Sequence, residues 1–198
     1  MSHKLEGEMY LQFNKKLFGG LFMAIFYPSY YISKVDNIDA ATLKKLNIHG
    51  IILDIDDTLT PHKCSTPNEG IEFWIKSIQQ SGIKLILVSN NFKKRVESFA
   101  KLLGLPYISF GMKPFSYGFH KAINELGVPK SEIAIIGDQI FTDIMGANFL
   151  GIRSILVDPV SKSKTFLLKL KRFLEIPIKN RILKDKKINL KTYSLKGE

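Results

Sequence analysis

From Gly50 onward, short apolar runs alternate with segments whose apolar residues recur at helical spacing, and no other feature restricts the fold as much. The runs lie at 51–53, 83–88 (IKLILV), 106–109, 133–136 (IAII) and 154–157 (SILV). Between them, Ile71, Trp74, Ile75 and Ile78 mark one helix face, and Val96, Phe99, Ala100 and Leu103 a second. Phe119, Ala122, Ile123 and Leu126 mark a third. Uninterrupted apolar strands are covered on both faces, and parallel strands need the crossovers that such helices provide. The expectation is an α/β domain with a doubly wound parallel sheet over residues 48–160. In such a sheet a ligand sits outside the carboxyl ends of the strands.

The residues that follow each run therefore carry the functional information. The first run opens the stretch GIILDIDDTLTPH (50–62), with Asp54, Asp56 and Asp57 crowded behind Leu53. In extended backbone Asp54 and Asp56 face one side and Asp57 the other. Like charges so close raise each other's pKa unless a cation or free hydration compensates them. SNN follows the second run, supplying the Ser89 hydroxyl and Asn90; GMKP precedes the third helix and places Lys113 in a turn. GDQIFTD follows the fourth run, with Asp138 at the strand end and Asp143 five residues on. Taken singly, each has a plain explanation as a turn acid, a helix cap or a solvated lysine. Together, in one order at four strand ends, they make a site.

That order, DIDDT, then Ser89, then Lys113, then GDQIFTD, resembles the four motifs of the haloacid dehalogenase (HAD) superfamily of phosphohydrolases over roughly residues 48–160. More narrowly, SNN, MKP and GDQxxTD resemble the YqeG-type subfamily, relatives of the phosphatidylglycerophosphate phosphatases. The resemblance implies a Mg²⁺-dependent phosphatase in which Asp54 attacks phosphorus and Asp56 moves the proton. It implies Ser89, Asn90, Thr58 and Lys113 around the phosphoryl group. Metal ligands would be Asp54, Asp56 through its main-chain carbonyl, Asp138 and Asp143. These types suit the chemistry: a carboxylate nucleophile divides one displacement into two, and Mg²⁺ prefers hard oxygen ligands. Asp57 is expected to be structural.

Other features bound the reading. With 198 residues the chain is sized for one domain, and a single cysteine, Cys64, excludes an internal disulfide or a cysteine-cluster metal site. It contains no glycine-rich nucleotide-triphosphate loop, and His3, His49, His62 and His120 show no metal-ligand spacing. Only 30 residues separate Thr58 from Ser89, and 23 separate Ser89 from Lys113, which leaves no room for a cap domain. An open site suits a large or surface-bound phosphoester.

Two flanks complete the plan. Residues 1–47 form an apolar, aromatic segment, uncharged from Leu17 to Ser33 but interrupted by Gly19, Gly20 and Pro28. That falls short of the roughly 20 apolar residues of a spanning helix, so it either covers the core or lies at a membrane interface. Residues 161–198 read as a basic helical tail; from Val160 on, 12 Lys or Arg face 3 acids, so +9 of the net +11 lies there. Such charge favours an anionic partner, although 25 of the 29 basic residues are lysine and composition alone would supply much of it. The preferred substrate is a lipid phosphate such as phosphatidylglycerophosphate, met by a cytoplasmic protein on the inner face of an anionic membrane. A capless phosphatase of protein, nucleic-acid or soluble metabolite phosphoesters is the alternative. Nucleic acid is disfavoured, because the tail lacks an aromatic stacking platform. A non-catalytic module on the same scaffold is a third reading, but Asp54, Asp56 and Lys113 are all retained.

Overall fold

The computed structural model describes residues 24–62, 64–161, 166–185 and 187–188. Six strands occur among them: β1 (Tyr30–Ile32), β2 (Gly50–Leu53), β3 (Lys84–Val88), β4 (Tyr107–Ile108), β5 (Ile133–Gly137) and β6 (Arg153–Val157). They form one parallel sheet in the order β1-β6-β5-β2-β3-β4. The helices are α1 (Ala40–Lys45), α2 (Ile71–Gln80), α3 (Lys93–Leu103), α4 (Ser116–Leu126), α5 (Met145–Phe149) and α6 (Phe166–Lys184). A π-helical turn, Ile140–Ile144, leads into α5.

The central strand shows why the sheet is covered twice. Ile51 and Leu53 of β2 pack into one apolar layer with Trp74 and Ile75 of α2 and Val96 and Phe99 of α3. Ile52 points the other way, into a layer with Phe119 and Ala122 of α4 and Ala147 of α5. Each fully buried side chain of this kind contributes roughly 1.5–3 kcal/mol, so the period-two alternation fixes the register. Leu53 pairs with Leu87 on one side and Ile136 on the other. The strand ends therefore lie level, and Asp54 emerges beside Val88 and Gly137.

The flanks join this core. Tyr30 pairs with Ile155, so β1 extends the sheet at its edge. Phe26 and Tyr31 pack with Ile140, Ile144, Leu156 and, from α6, Ile178 and Ile182. Described residues of the segment read as a membrane-or-core flank thus cover the sheet; residues 17–23 of its uncharged stretch, and 189–198 of the tail, lie outside the described residues. No helix among the described residues is long and apolar enough to cross a membrane. Between Thr58 and Ser89 the described chain holds a loop and α2, and between Ser89 and Lys113 it holds α3 and β4. Neither connection carries a cap domain.

Candidate active site

Asp54, Asp138 and Asp143 converge where β2 and β5 end. All three are buried, and one carboxylate oxygen from each lies within 4.8 Å of the others. Lys113 Nζ reaches into the group, donating to Asp143 Oδ1 at 2.7 Å and to Asp54 Oδ1. Thr58 Oγ1 stands 3.2 Å from both Asp54 Oδ2 and Asp138 Oδ1, and its one proton serves one of them at a time. Thr58 is itself 1% exposed, and its hydroxyl braces these carboxylates. The bare Cα of Gly137 leaves the room that Asp143 occupies; a Cβ there would collide with its carboxylate.

Burial dominates the electrostatics. It pushes Asp54 up to about 7 against the pull of Lys113, with the Asp143 and Asp56 charges adding to the rise. Asp138 is raised well above the usual carboxylate range by burial, which outweighs its pairing with Arg172, and by the Asp54 and Asp143 charges. For Lys113 burial acts downward, yet the Asp143 and Asp54 carboxylates hold it above the ordinary lysine range. It is a fixed cation. Three acids and nearby Glu175 face two cations, Lys113 and Arg172, which leaves negative charge that a hard divalent ion would neutralise. The all-oxygen donor set fits such an ion.

The loop that presents Lys113 is held at three points. Asn90 clamps its main chain, accepting from Lys113 N at 2.7 Å and donating to Lys113 O at 3.0 Å. Gly118 at the start of α4 donates to Gly111 O at 3.1 Å. A Cβ on Gly118 would stand 2.5 Å from that oxygen and 2.6 Å from Gly111 Cα, so only glycine permits the approach. Met112, next to Lys113, has φ +54°.

Asp54 and Asp56 both open on one cleft, with Ser89, Asn90 and Lys113 on its walls. The Asp56 carboxylate is not one of the triad. It accepts from Asn91 Nδ2 at 2.6 Å and pairs with Arg95. Asp57 turns away with φ +63° and accepts from His62 N at 3.1 Å and from Ser161 Oγ, so it ties the loop together. The cleft measures about 170 Å³. Small-molecule sites run to roughly 300–1,000 Å³, so this one has space for a phosphoryl group while the remainder of a substrate would stay outside.

The sequence reading missed Asn91, Arg95 and three residues of the tail helix. Arg172 donates to the main-chain carbonyl of Asp138 at 2.6 Å and pairs with its carboxylate. Glu175, 4% exposed, accepts from Ile140 N at 2.8 Å and Phe141 N at 3.3 Å. Lys171 lines the cleft itself. The available signal was that Arg95 and Arg172 are two of only four arginines in a chain that otherwise uses lysine; arginine suits planar, two-point recognition of carboxylates.

Comparison with known proteins identifies the family. Residues 62–151 match the model of the haloacid dehalogenase-like hydrolases. "Probable phosphatase YqeG" of Bacillus subtilis is 34% identical over 150 residues, covering 76% of this chain and 87% of that protein. The chain belongs to the HAD-like hydrolases. It is an enzyme of the HAD phosphatase type. A pyrophosphatase, PpaX of Halalkalibacterium halodurans, is 28% identical over 104 residues, covering 48% of each chain. Among solved structures, an uncharacterized protein from Listeria monocytogenes serotype 4b superposes with TM-score 0.48 and 17% identity, covering 67% of this HAD chain and 99% of that one.

Proposed function

We propose that this HAD enzyme hydrolyses a phosphomonoester through a phosphoaspartate on Asp54, with Mg²⁺ as cofactor and a lipid phosphate as substrate. The observation that carries the reading is Lys113 Nζ on Asp54 and Asp143 inside a buried carboxylate triad, beside the Ser89 cleft. Asp54, Asp138 and Asp143, with the Asp56 carbonyl, would hold the ion, which supplies charge neutralisation at the phosphoryl oxygens when bound.

The chain's own groups then divide the work. Lys113 fixes the Asp54 carboxylate and, with Ser89 and Asn90, offers cationic and neutral donors where charge develops on the phosphoryl oxygens. Asp54 Oδ attacks phosphorus in line and the bond to the leaving oxygen breaks. Asp56 gives that oxygen a proton, then takes one from the water that hydrolyses the phosphoaspartate. Asn91 and Arg95 hold Asp56 in place for both transfers. Residues 48–160 would form the catalytic domain, with 1–47 and 161–198 as flanks that complete it.

Support for a lipid comes from what surrounds the cleft. It is open and capless, so the body of the substrate lies outside. Lys171 stands on its wall, and its neighbour on the helix, Arg172, lines a groove of about 620 Å³ together with Val160, Phe173, Ile176, Lys169 and Lys179. An anionic headgroup with apolar chains matches that pattern, as does a cytoplasmic enzyme working at the membrane's inner face. A screen of the purified protein decides it: phosphatidylglycerophosphate beside nucleotides, sugar phosphates, phosphopeptides and 5′-phosphorylated oligonucleotides, with and without chelator. Preference for the lipid and loss in chelator are expected; turnover of soluble esters alone overturns the lipid assignment.

A further inference from the structure

Large apolar side chains stand exposed on the loops that carry three of the site residues. Phe92 is 72% exposed, Phe115 70%, Met112 57% and Phe110 50%. The Phe92 and Phe110 rings meet edge to face with centroids 5.4 Å apart; Met112 and Phe115 follow within five residues of Phe110 on the same loop, where Phe115 N donates to Met112 O at 2.8 Å. All four belong to the loops that follow β3 and β4, the same loops that carry Ser89, Asn90 and Lys113. Scattered exposed apolar residues are ordinary, but a cluster on one rim marks an interaction surface.

The backbone adds an independent sign. Phe110 has φ +50° and Met112 φ +54°, a region that bulky residues rarely adopt. Glycine would hold either turn without strain. Strain of this kind persists where function requires it, and here it is tied to two large side chains aimed at solvent. The charge is one-sided as well. Lys93 and Lys94 are exposed beside Phe92, and Lys121 lies 4.4 Å over the ring of Tyr117. Glu97, the one acid between residues 92 and 121, is paired with Lys101 at 3.1 Å.

We propose that Phe92, Phe110, Met112 and Phe115 form the surface by which the chain docks on an anionic lipid bilayer, seating the catalytic mouth against the headgroups. Aromatic rings favour the headgroup region, and lysines beside them are drawn to anionic lipid. A protein interface depletes charge at its core. This patch instead lies on the loops that carry Ser89 and Lys113, with Lys93 and Lys94 exposed beside Phe92, which suits a phosphate-rich plane. The proposal rests on the lipid-phosphate reading for its purpose, though binding itself can be measured without it.

The test uses the full chain and vesicles of phosphatidylcholine and phosphatidylglycerol, which contain no phosphomonoester. Wild type should sediment with them, less so as salt rises. Combined Phe92→Ser, Phe110→Asn, Met112→Asn and Phe115→Ser should weaken vesicle partitioning about tenfold or more. Asparagine is chosen because it tolerates the left-handed turn. The same variant should keep kcat/KM on a soluble phosphomonoester within about twofold, since none of the four touches the cleft. Because a fourfold variant can fail to fold, Phe115→Trp alone provides a second readout: its emission should shift to the blue when vesicles are added. Unchanged partitioning of the fourfold variant, no shift for Phe115→Trp, or no binding of wild type at low salt overturns the docking surface. Vesicle binding without lipid phosphatase activity keeps the surface and removes the lipid substrate; lipid turnover in detergent without vesicle binding does the reverse.

Discussion

Arg172 grips Asp138 at two points, its carboxylate and its main-chain carbonyl, the latter at 2.6 Å. The tail helix thereby takes hold of the loop that carries the proposed metal ligand Asp138, and Glu175 secures the main-chain amides of Ile140 and Phe141. Groups that orient a ligand from behind typically change metal affinity by roughly 10–100-fold when removed. Arg172→Met should weaken Mg²⁺ or Mn²⁺ binding by that order in a direct titration, and Arg172→Lys should recover part of it. A variant with lowered thermal stability but wild-type metal affinity would show that the contact only anchors the helix.

Asp56 and its neighbour Asp57 should behave differently. Asp56→Asn should slow turnover strongly and leave metal affinity near wild type, because its carboxylate faces Asn91 and Arg95 and not the triad. Asp57→Asn should be milder, since Asp57 accepts from His62 N and Ser161 Oγ. Ser89→Ala and Lys113→Ala should each lower kcat about 10²-fold or more, the scale of one preorganised donor. Steady-state kinetics and metal titration on the four variants check this; equal damage from Asp56→Asn and Asp57→Asn refutes the assignment.

Gly118→Ala should damage the site at a distance. Its Cβ would meet the Gly111 main chain at 2.5–2.6 Å, so the loop carrying Lys113 must shift. Overpacking of this kind costs about 1–3 kcal/mol. Denaturant unfolding should report that loss, and kcat should fall with it. Wild-type kcat with wild-type stability would mean that the loop is not set by this contact.

Much of this was legible in the chain. The strands at 51–53, 83–88, 133–136 and 154–157 follow from continuous apolar runs, and the three helix faces from period; the structure returns them within a residue or two. Asp54, Ser89, Lys113, Asp138 and Asp143 were readable because each directly follows a run or precedes a helix. β1 was not, because Tyr30–Ile32 is three residues long and borrows its stability from pairing with β6. Arg95 and Arg172 were hidden for a related reason. Their partners lie 39 and 34 residues away, and contacts at that range leave no periodicity.

Metal binding should depend on pH in a definite direction. Without an ion, burial holds Asp54 at about 7, against roughly 3.9 for a free carboxyl. Between those values the unfolded chain has lost a proton that the folded chain keeps. The Asp54 contribution to stability therefore falls as pH rises from about 4 to about 7, and is level outside that window. A divalent ion needs the carboxylate, so binding below about pH 7 expels that proton. Affinity, and the thermal stabilisation by metal, should rise from about pH 5.5 to about pH 7 as the Asp54 proton is displaced, with Asp138, also raised by burial, acting in the same direction. An affinity independent of pH across that interval contradicts the assignment of Asp54 as a ligand.

The central claim is that Asp54 carries the phosphoryl group. The direct measurement is rapid acid quench of enzyme, Mg²⁺ and turning-over substrate, followed by mass spectrometry of the peptide spanning residues 50–62. The account predicts one phosphoryl group on Asp54 in wild type, none in excess chelator, and neither label nor turnover in Asp54→Asn. A phosphoryl group on any other residue, or hydrolysis by Asp54→Asn near the wild-type rate, would contradict it.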